Sequence, residues 1–130
     1  MSSPAGVVLD ASALLALLNS EPGSETVEES LSAAAVSAVN LSEVVSKLSE
    51  RGMPVAVIHS ALDGLGLDVH PFDTASAYSA GTLRPATRGL GLSLGDRACL
   101  ALGLALSASV LTTDRNWKKL KIGAKIRVIR

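Results

Sequence analysis

Apolar positions along this chain fall into short blocks of two alternating periods, and those blocks predict its elements. Gly6-Val-Val-Leu-Asp10 is apolar, β-branched and ends at an acid, the pattern of a short buried strand. Residues 11–18 follow as a helix with few polar positions, and Pro22 and Gly23 make 19–24 a loop. Residues 25–31 read as a short acidic helix and 35–39 as a second strand, although alanine is a weak strand former. Asn40-Leu-Ser-Glu43 matches a capping box and opens a helix that stops at Gly52. Pro54 starts another over 55–65, since proline is tolerated in a first turn. Residues 67–72 are expected to be strand, 73–83 a helix capped by Asp73 and ended near Pro85, and 87–92 a Gly-containing loop. Ser93-Leu-Gly-Asp96 opens the most apolar helix, which continues to Leu106. Residues 109–112 read as strand, 114–120 as a short basic helix and 126–129 as a final strand.

Strands and helices that alternate in this way imply an α/β fold. The expected form is a three-layer sandwich with a central, mainly parallel sheet of four to five strands flanked by helices. No repeat, low-complexity tract or linker interrupts the chain, so residues 1–130 are expected to form one domain. Right-handed crossovers then bring the C-terminal ends of the strands to one edge, where ligands of open α/β sheets bind.

Composition narrows the picture. Hydrophobic residues make up 48% of the chain and aromatics 2%, so the core must be aliphatic, and a base-stacking platform is disfavoured. The single cysteine, Cys99, excludes an internal disulfide and a cysteine-based zinc site, in keeping with a reducing compartment. The start of the chain has no basic stretch before its apolar run, which Asp10 interrupts, so no signal peptide is read there. The longest uncharged run, residues 98–113, is shorter than the roughly 20 apolar residues of a spanning helix. A soluble, cytoplasmic protein is the expectation. Net charge is zero but unevenly spread: residues 1–65 hold eight acids and two bases, residues 66–130 four acids and ten bases. Seven of those bases fall within 115–130, which suits either a face for an anionic partner or a solvated edge.

Four acids carry the chemistry. Asp10, Glu43, Asp96 and Asp114 each stand where a strand or loop hands over to a helix, so a parallel sheet can bring all four to one edge. Taken singly, each is explained as a cap, because helix N-termini favour acids. Taken together they are harder to explain that way. Two unit charges about 5 Å apart repel by roughly 3 kcal/mol at an effective dielectric of about 20. A carboxylate cluster among apolar neighbours therefore needs protons or a cation, and carboxylates with water are the ligands that Mg²⁺ and Mn²⁺ prefer. Such an ion lowers the pKa of water and stabilises charge on a phosphate, which suits phosphodiester hydrolysis.

The motifs around these acids resemble those of the PIN-domain family, in particular VapC-type toxins. Val8-Leu-Asp-Ala-Ser-Ala-Leu-Leu-Ala-Leu-Leu18 resembles the first motif, in which the acid is a metal ligand with a hydroxyl beside it, here Asp10 and Ser12. Asn40-Leu-Ser-Glu-Val44 resembles the second, with Glu43 as its acid. Leu92-Ser-Leu-Gly-Asp-Arg-Ala-Cys-Leu-Ala-Leu102 is similar to the third, with Asp96, and Val110-Leu-Thr-Thr-Asp-Arg-Asn-Trp117 to the fourth, with Asp114. Asn116 serves either as an auxiliary site residue or as a cap for the turn before Trp117, the latter being favoured. The resemblance implies a PIN-like fold, Mg²⁺- or Mn²⁺-dependent RNA cleavage, a homodimer and a cognate VapB-like antitoxin. It implies that Asp10 and Asp96 hold the ion, with Glu43 and Asp114 completing the cluster or orienting the attacking water.

Other signals are weaker. Gly91-Leu-Ser-Leu-Gly95 matches a nucleophile elbow, but no strand precedes it and both histidines, His59 and His70, come before Ser93. Those histidines lack metal spacing, Cys99 reads as a buried small hydrophobe and Trp117 as a lid on the core. Among the bases Arg84, Arg88, Arg97, Arg115, Lys118 and Lys119, the two beside proposed ligands, Arg97 and Arg115, are the best placed to meet RNA phosphates. Three other functions compete. A receiver-like phospho-acceptor needs an acidic pair after the first strand and a late lysine, whereas Asp10 is followed by Ala11 and Ser12 and no lysine occurs from Arg51 to Asn116. A haloacid-dehalogenase-type phosphatase needs an aspartate where Ser12 stands. A catalytically silent PIN fold that only binds partners is opposed by the retention of all four acids.

Overall fold

The computed structural model describes residues 6–130, in which Val7–Leu9 form β1, Ala34–Ser37 β2, Asp68–His70 β3, Ser109–Thr112 β4 and Lys125–Val128 β5. The helices are α1 (Ala11–Leu18), α2 (Ser24–Ser30), α3 (Ala38–Glu50), α4 (Val55–Asp63), α5 (Thr74–Thr82), α6 (Arg84–Thr87) and α7 (Leu94–Leu106). The strands make one sheet in the order β3-β2-β1-β4-β5, and every pairing is parallel. The reading of the chain's start as lacking a leader falls partly on residues 1–5, outside the described residues.

Alternation along the strands sorts the core into two halves. Leu9, Ala34, Val36 and Leu111 face one way and pack against Leu14, Val44, Leu48, Ile58 and Leu62 from α1, α3 and α4. Val8, Ala35 and Val110 face the other way and meet Cys99 and Leu100 of α7 and Trp117. The result is the three-layer α/β sandwich expected, with Trp117 closing one core as a 1%-exposed lid. Each wholly buried leucine, such as Leu14 or Leu111, contributes about 2 kcal/mol. Close approach of α7 to the sheet depends on Gly103, where a β-carbon would overlap Val110 Cγ2. Among the described residues no helix is long and apolar enough to cross a membrane.

Several element ends differ from the sequence expectation. The helix expected to open at Asn40 opens directly off β2: Ser37 is its cap, accepting Val39 N–H at 3.2 Å, and Asn40 lies within its first turn. The capping box at Asn40 and Glu43 is therefore absent, and both side chains are released for other bonds. Pro54 precedes α4 as its cap instead of opening the first turn. The helix over 73–83 does end near Pro85, at Thr82, but Pro85 then lies in the first turn of the short α6, where its missing N–H costs nothing. The basic helix near the C-terminus is a 3-10 turn, Arg115–Lys119.

The strand order places the site. From β1 the chain steps outward to β2 and β3, then returns to lay β4 and β5 on the other side of β1. Order reverses between β1 and β4, and a crevice opens beyond the C-terminal ends of strands at such a point. Asp10 follows β1 and Thr112 ends β4, so both stand in that crevice.

Candidate active site

Asp10 caps α1 and is 4% exposed. Its Oδ1 accepts Ala13 N–H at 2.8 Å and the Ser12 hydroxyl at 2.7 Å, and its Oδ2 accepts the Thr112 hydroxyl at 2.5 Å. Ser12 Oγ in turn accepts Thr113 N–H, and Thr112 Oγ1 accepts Asp114 N–H, so β1, α1 and the end of β4 are tied through one carboxylate. Burial pushes the Asp10 carboxyl up to about 6. The Asp96 charge adds to this rise, while the bonds from Thr112, Ser12 and Ala13 oppose it.

Glu43 reaches the same edge from α3. Asn40, 1% exposed, donates from Nδ2 both to Glu43 Oε1 at 2.8 Å and to the Gly95 carbonyl at 2.9 Å. One amide thus latches the first turn of α3 to the first turn of α7. The Glu43 carboxylate rests on Gly95, where a β-carbon would stand 2.5 Å from either of its oxygens. Asp96 follows Gly95 and is half-buried. It forms a capping box with Ser93, its Oδ2 accepting Ser93 N–H at 2.9 Å while Ser93 Oγ accepts Asp96 N–H at 3.1 Å. Cys99 lies one turn further along α7, wholly buried. Desolvation first, then the charges of Asp10, Asp96 and Glu43, raise its thiol well above the usual cysteine range.

Asp96 acts on the buried Asp10, and Asp10, Asp96 and Glu43 all act on Cys99, although Glu43 is itself exposed. Asp114 is exposed and caps the 3-10 turn, its Oδ1 accepting Asn116 N–H at 2.9 Å. That corrects the favoured reading of Asn116: Asp114 is the cap, and exposed Asn116 supplies a backbone donor. Arg97 is also placed differently. Its Nη1 donates to Ala80 O at the end of α5 and its Nε is buried with no partner among the described residues, so the guanidinium serves helix packing instead of presenting itself to a phosphate. Arg115 is exposed, with Nε bonded to Arg130 O, beside an open groove that Lys118 also lines. Among the other bases considered, Arg84, Arg88, Lys118 and Lys119 are exposed. His59 is exposed on α4, and His70 pairs with Asp68 at 2.9 Å.

Two residues of this constellation were not singled out from the sequence, Thr112 and Asn40. Thr112 stands in a quoted motif at a position that shares its face with core Val110, and a hydroxyl at such a position needs a buried partner. Asn40 was accounted for as a cap, which hid its second role.

The donors suit a hard divalent ion. Among the described residues no three Asp, Glu, His or Cys side chains form a ready-made cage. Mg²⁺ does not require one, since it keeps several waters and takes one or two carboxylates. Burial of Asp10 next to the Asp96 charge is the strain that a cation would relieve, and carboxylate oxygens are the matching ligands.

Comparison with known proteins agrees with this architecture. A family model described as PIN domain matches residues 7–123. No curated protein matches the chain in sequence. Among solved structures, a chain of the DNA-bound VapBC complex of Salmonella typhimurium superimposes with a TM-score of 0.76 at 18% identity, over 96% of this chain and 98% of that one. A chain of the Rickettsia felis VapBC2 complex, bound to a promoter DNA fragment, gives 0.73 at 19% identity, over 94% and 97%. A chain of VapBC-1 from nontypeable Haemophilus influenzae gives 0.72 at 15% identity, over 94% and 96%. At such identities the likeness is one of fold.

Proposed function

The chain belongs to the PIN domain family, and on that premise we propose that it is a divalent-metal-dependent endoribonuclease, the toxin of a VapBC-type toxin–antitoxin pair. The observation that carries this reading is Asp10: a carboxyl buried at the switch point of the sheet, fixed by three donors, with its proton affinity raised to about 6. A purely structural cap gains nothing from that burial, whereas a site for a cation does.

Asp10 and Asp96 would hold Mg²⁺ or Mn²⁺, with Glu43 as the third acid and Asp114 at the rim. When bound, such an ion activates water and stabilises charge on a phosphodiester. The chain's own contribution is orientation. Thr112 and Ser12 fix both Asp10 oxygens, and Asn40 fixes one Glu43 oxygen, leaving the other to orient water. Exposed bases such as Arg115 and Lys118 add attraction for an RNA backbone. The partners proposed are RNA, a VapB-like antitoxin and a second copy of the chain, in the cytoplasm. Support for the antitoxin comes from the fold neighbours, which are VapBC complexes.

The test is incubation of antitoxin-free protein with a mixed RNA pool, with Mg²⁺, with Mn²⁺ and with chelator, beside Asp10→Ala. Cuts that need the ion and vanish in the variant are the expected result. Equal behaviour of the two proteins contradicts it.

A further inference from the structure

One cavity is not used by the acid site. It occupies about 310 Å³ between α5, α7 and the ends of β2 and β3, and Ser37, His70, Phe72, Asp73, Ala98 and Ala101 are among its walls. That size lies at the lower end of small-ligand pockets. Its position follows from strand register. Val8 pairs with Ala35, so two residues further along, on the same face, Asp10 follows β1 while Ser37 ends the neighbouring β2. Ser37 pairs in turn with His70. By alternation, His70, Ser37, Asp10 and Thr112 form a row on the α7 face, running from the sheet edge at β3 to the switch point. The floor of the cavity is thus one strand away from the central acid.

Its chemistry is that of a neutral, planar ligand. Ser37 is 3% exposed, and its Oγ accepts Val39 N–H, which leaves the hydroxyl proton to donate. With His70 Nε2 donating to Asp68, His70 Nδ1 is the ring nitrogen left to accept. Phe72 supplies an aromatic face, and Ala98, Ala101, Leu102 and Leu106 supply an apolar wall on α7. Among the described residues no lysine or arginine lines the cavity, and Asp73 places a carboxylate at its rim, so a phosphate is unwelcome there.

Resting on the nuclease reading, we propose that this cavity receives the base of a nucleotide next to the scissile phosphate. Ser37 and His70 would read the edge of the base and Phe72 would stack on its face, so the chain chooses its cleavage sequence here. A base one strand from Asp10 keeps its own phosphate outside the cavity, near the acids.

The probe is each of the four ribonucleosides, titrated separately into isotopically labelled full-length protein in chelator, with backbone amide shifts as the readout. Saturable shifts at His70, Phe72 and Ala98, stronger for one or two of the bases and lost in Phe72→Ala, are expected. Thermal melts check that Phe72→Ala remains folded, and Phe72→Tyr should restore the shifts. In the RNA-pool assay, His70→Ala and Phe72→Ala should each flatten the base preference beside the cut by about tenfold, the scale of one lost stacking or bonding partner. No shift at those amides with any nucleoside overturns the proposal. So do variants with an unchanged cleavage preference, or shifts that follow protein concentration instead, which would mark the cavity as an interface between copies. If wild-type protein cuts no RNA, the nuclease reading falls while the nucleoside titration still decides whether the cavity takes a base.

Discussion

The Thr112 hydroxyl donates to Asp10 Oδ2 at 2.5 Å, joining the ends of β4 and β1 where the order of the sheet reverses. This bond favours the ionised carboxylate and so opposes the effect of burial. Thr112→Val keeps the shape and removes the donor. The Asp10 carboxyl should then rise above about 6, moving the acidic limb of the pH–rate profile upward. Stability should fall by about 1–2 kcal/mol for the buried oxygen left without its partner. A pH profile unchanged from wild type would mean that this bond does not tune Asp10.

Asp10 also gives stability a pH dependence of known sign. Its carboxyl lies near 6 in the fold against a reference of 3.8, so the folded state holds the proton more tightly. The resulting contribution is present at low pH and is lost as pH climbs from about 4 through about 6, a loss of about 3 kcal/mol once complete. Asp10→Asn removes the charge at every pH. In chelator near neutral pH, it should melt several degrees above wild type, with the advantage gone near pH 3.5. Its catalytic activity should be absent. Melts that track each other across pH would show that burial of this charge is not costly.

The Glu43 seat makes a sharper demand. Gly95→Ala sets a β-carbon 2.5 Å from both Glu43 oxygens, so the carboxylate must leave its seat or α7 must shift. We expect a loss of activity of about a hundredfold or more, the scale that follows from displacing a positioned group by an ångström. Asn40→Leu should be destabilising by about 2–3 kcal/mol, because Gly95 O and Glu43 Oε1 both lose their donor. Activity assays beside denaturant titrations separate the two effects.

Much of this arrangement was legible in the sequence, because periodicity reports burial and burial fixes elements. Val7-Val8-Leu9, the Ser93 cap, and the strand Ser109–Thr112 fall where the pattern puts them. The start of α3 did not, since Ser37 and Asn40 are both good caps and only the tertiary bond to Gly95 shows which is used. Pairing across strands is likewise invisible along the chain. Nothing local says that Thr112 meets Asp10, or that Arg97 turns to Ala80 O. The acids were readable as residues, but their unequal placing, with Asp10 buried, Asp96 half-buried and Glu43 and Asp114 exposed, required the fold.

Cys99 provides a test of the buried side of the site. Desolvation and three nearby carboxylates hold the thiol protonated, and the thiolate is the reactive form. Native protein at about pH 8 should therefore resist iodoacetamide for hours and be modified within minutes once unfolded, as read by mass spectrometry. Rapid labelling of the native chain would place the acids further from Cys99 than the structure does.

Cation binding by these carboxylates is the most direct test of the site. Titration of metal-free protein with Mn²⁺ by calorimetry, wild type beside Asp10→Asn, addresses that without any substrate. Saturable binding to the wild type that weakens at least about tenfold in the variant is the predicted result. A wild type that takes up no ion, or a variant that binds equally well, would contradict the central claim.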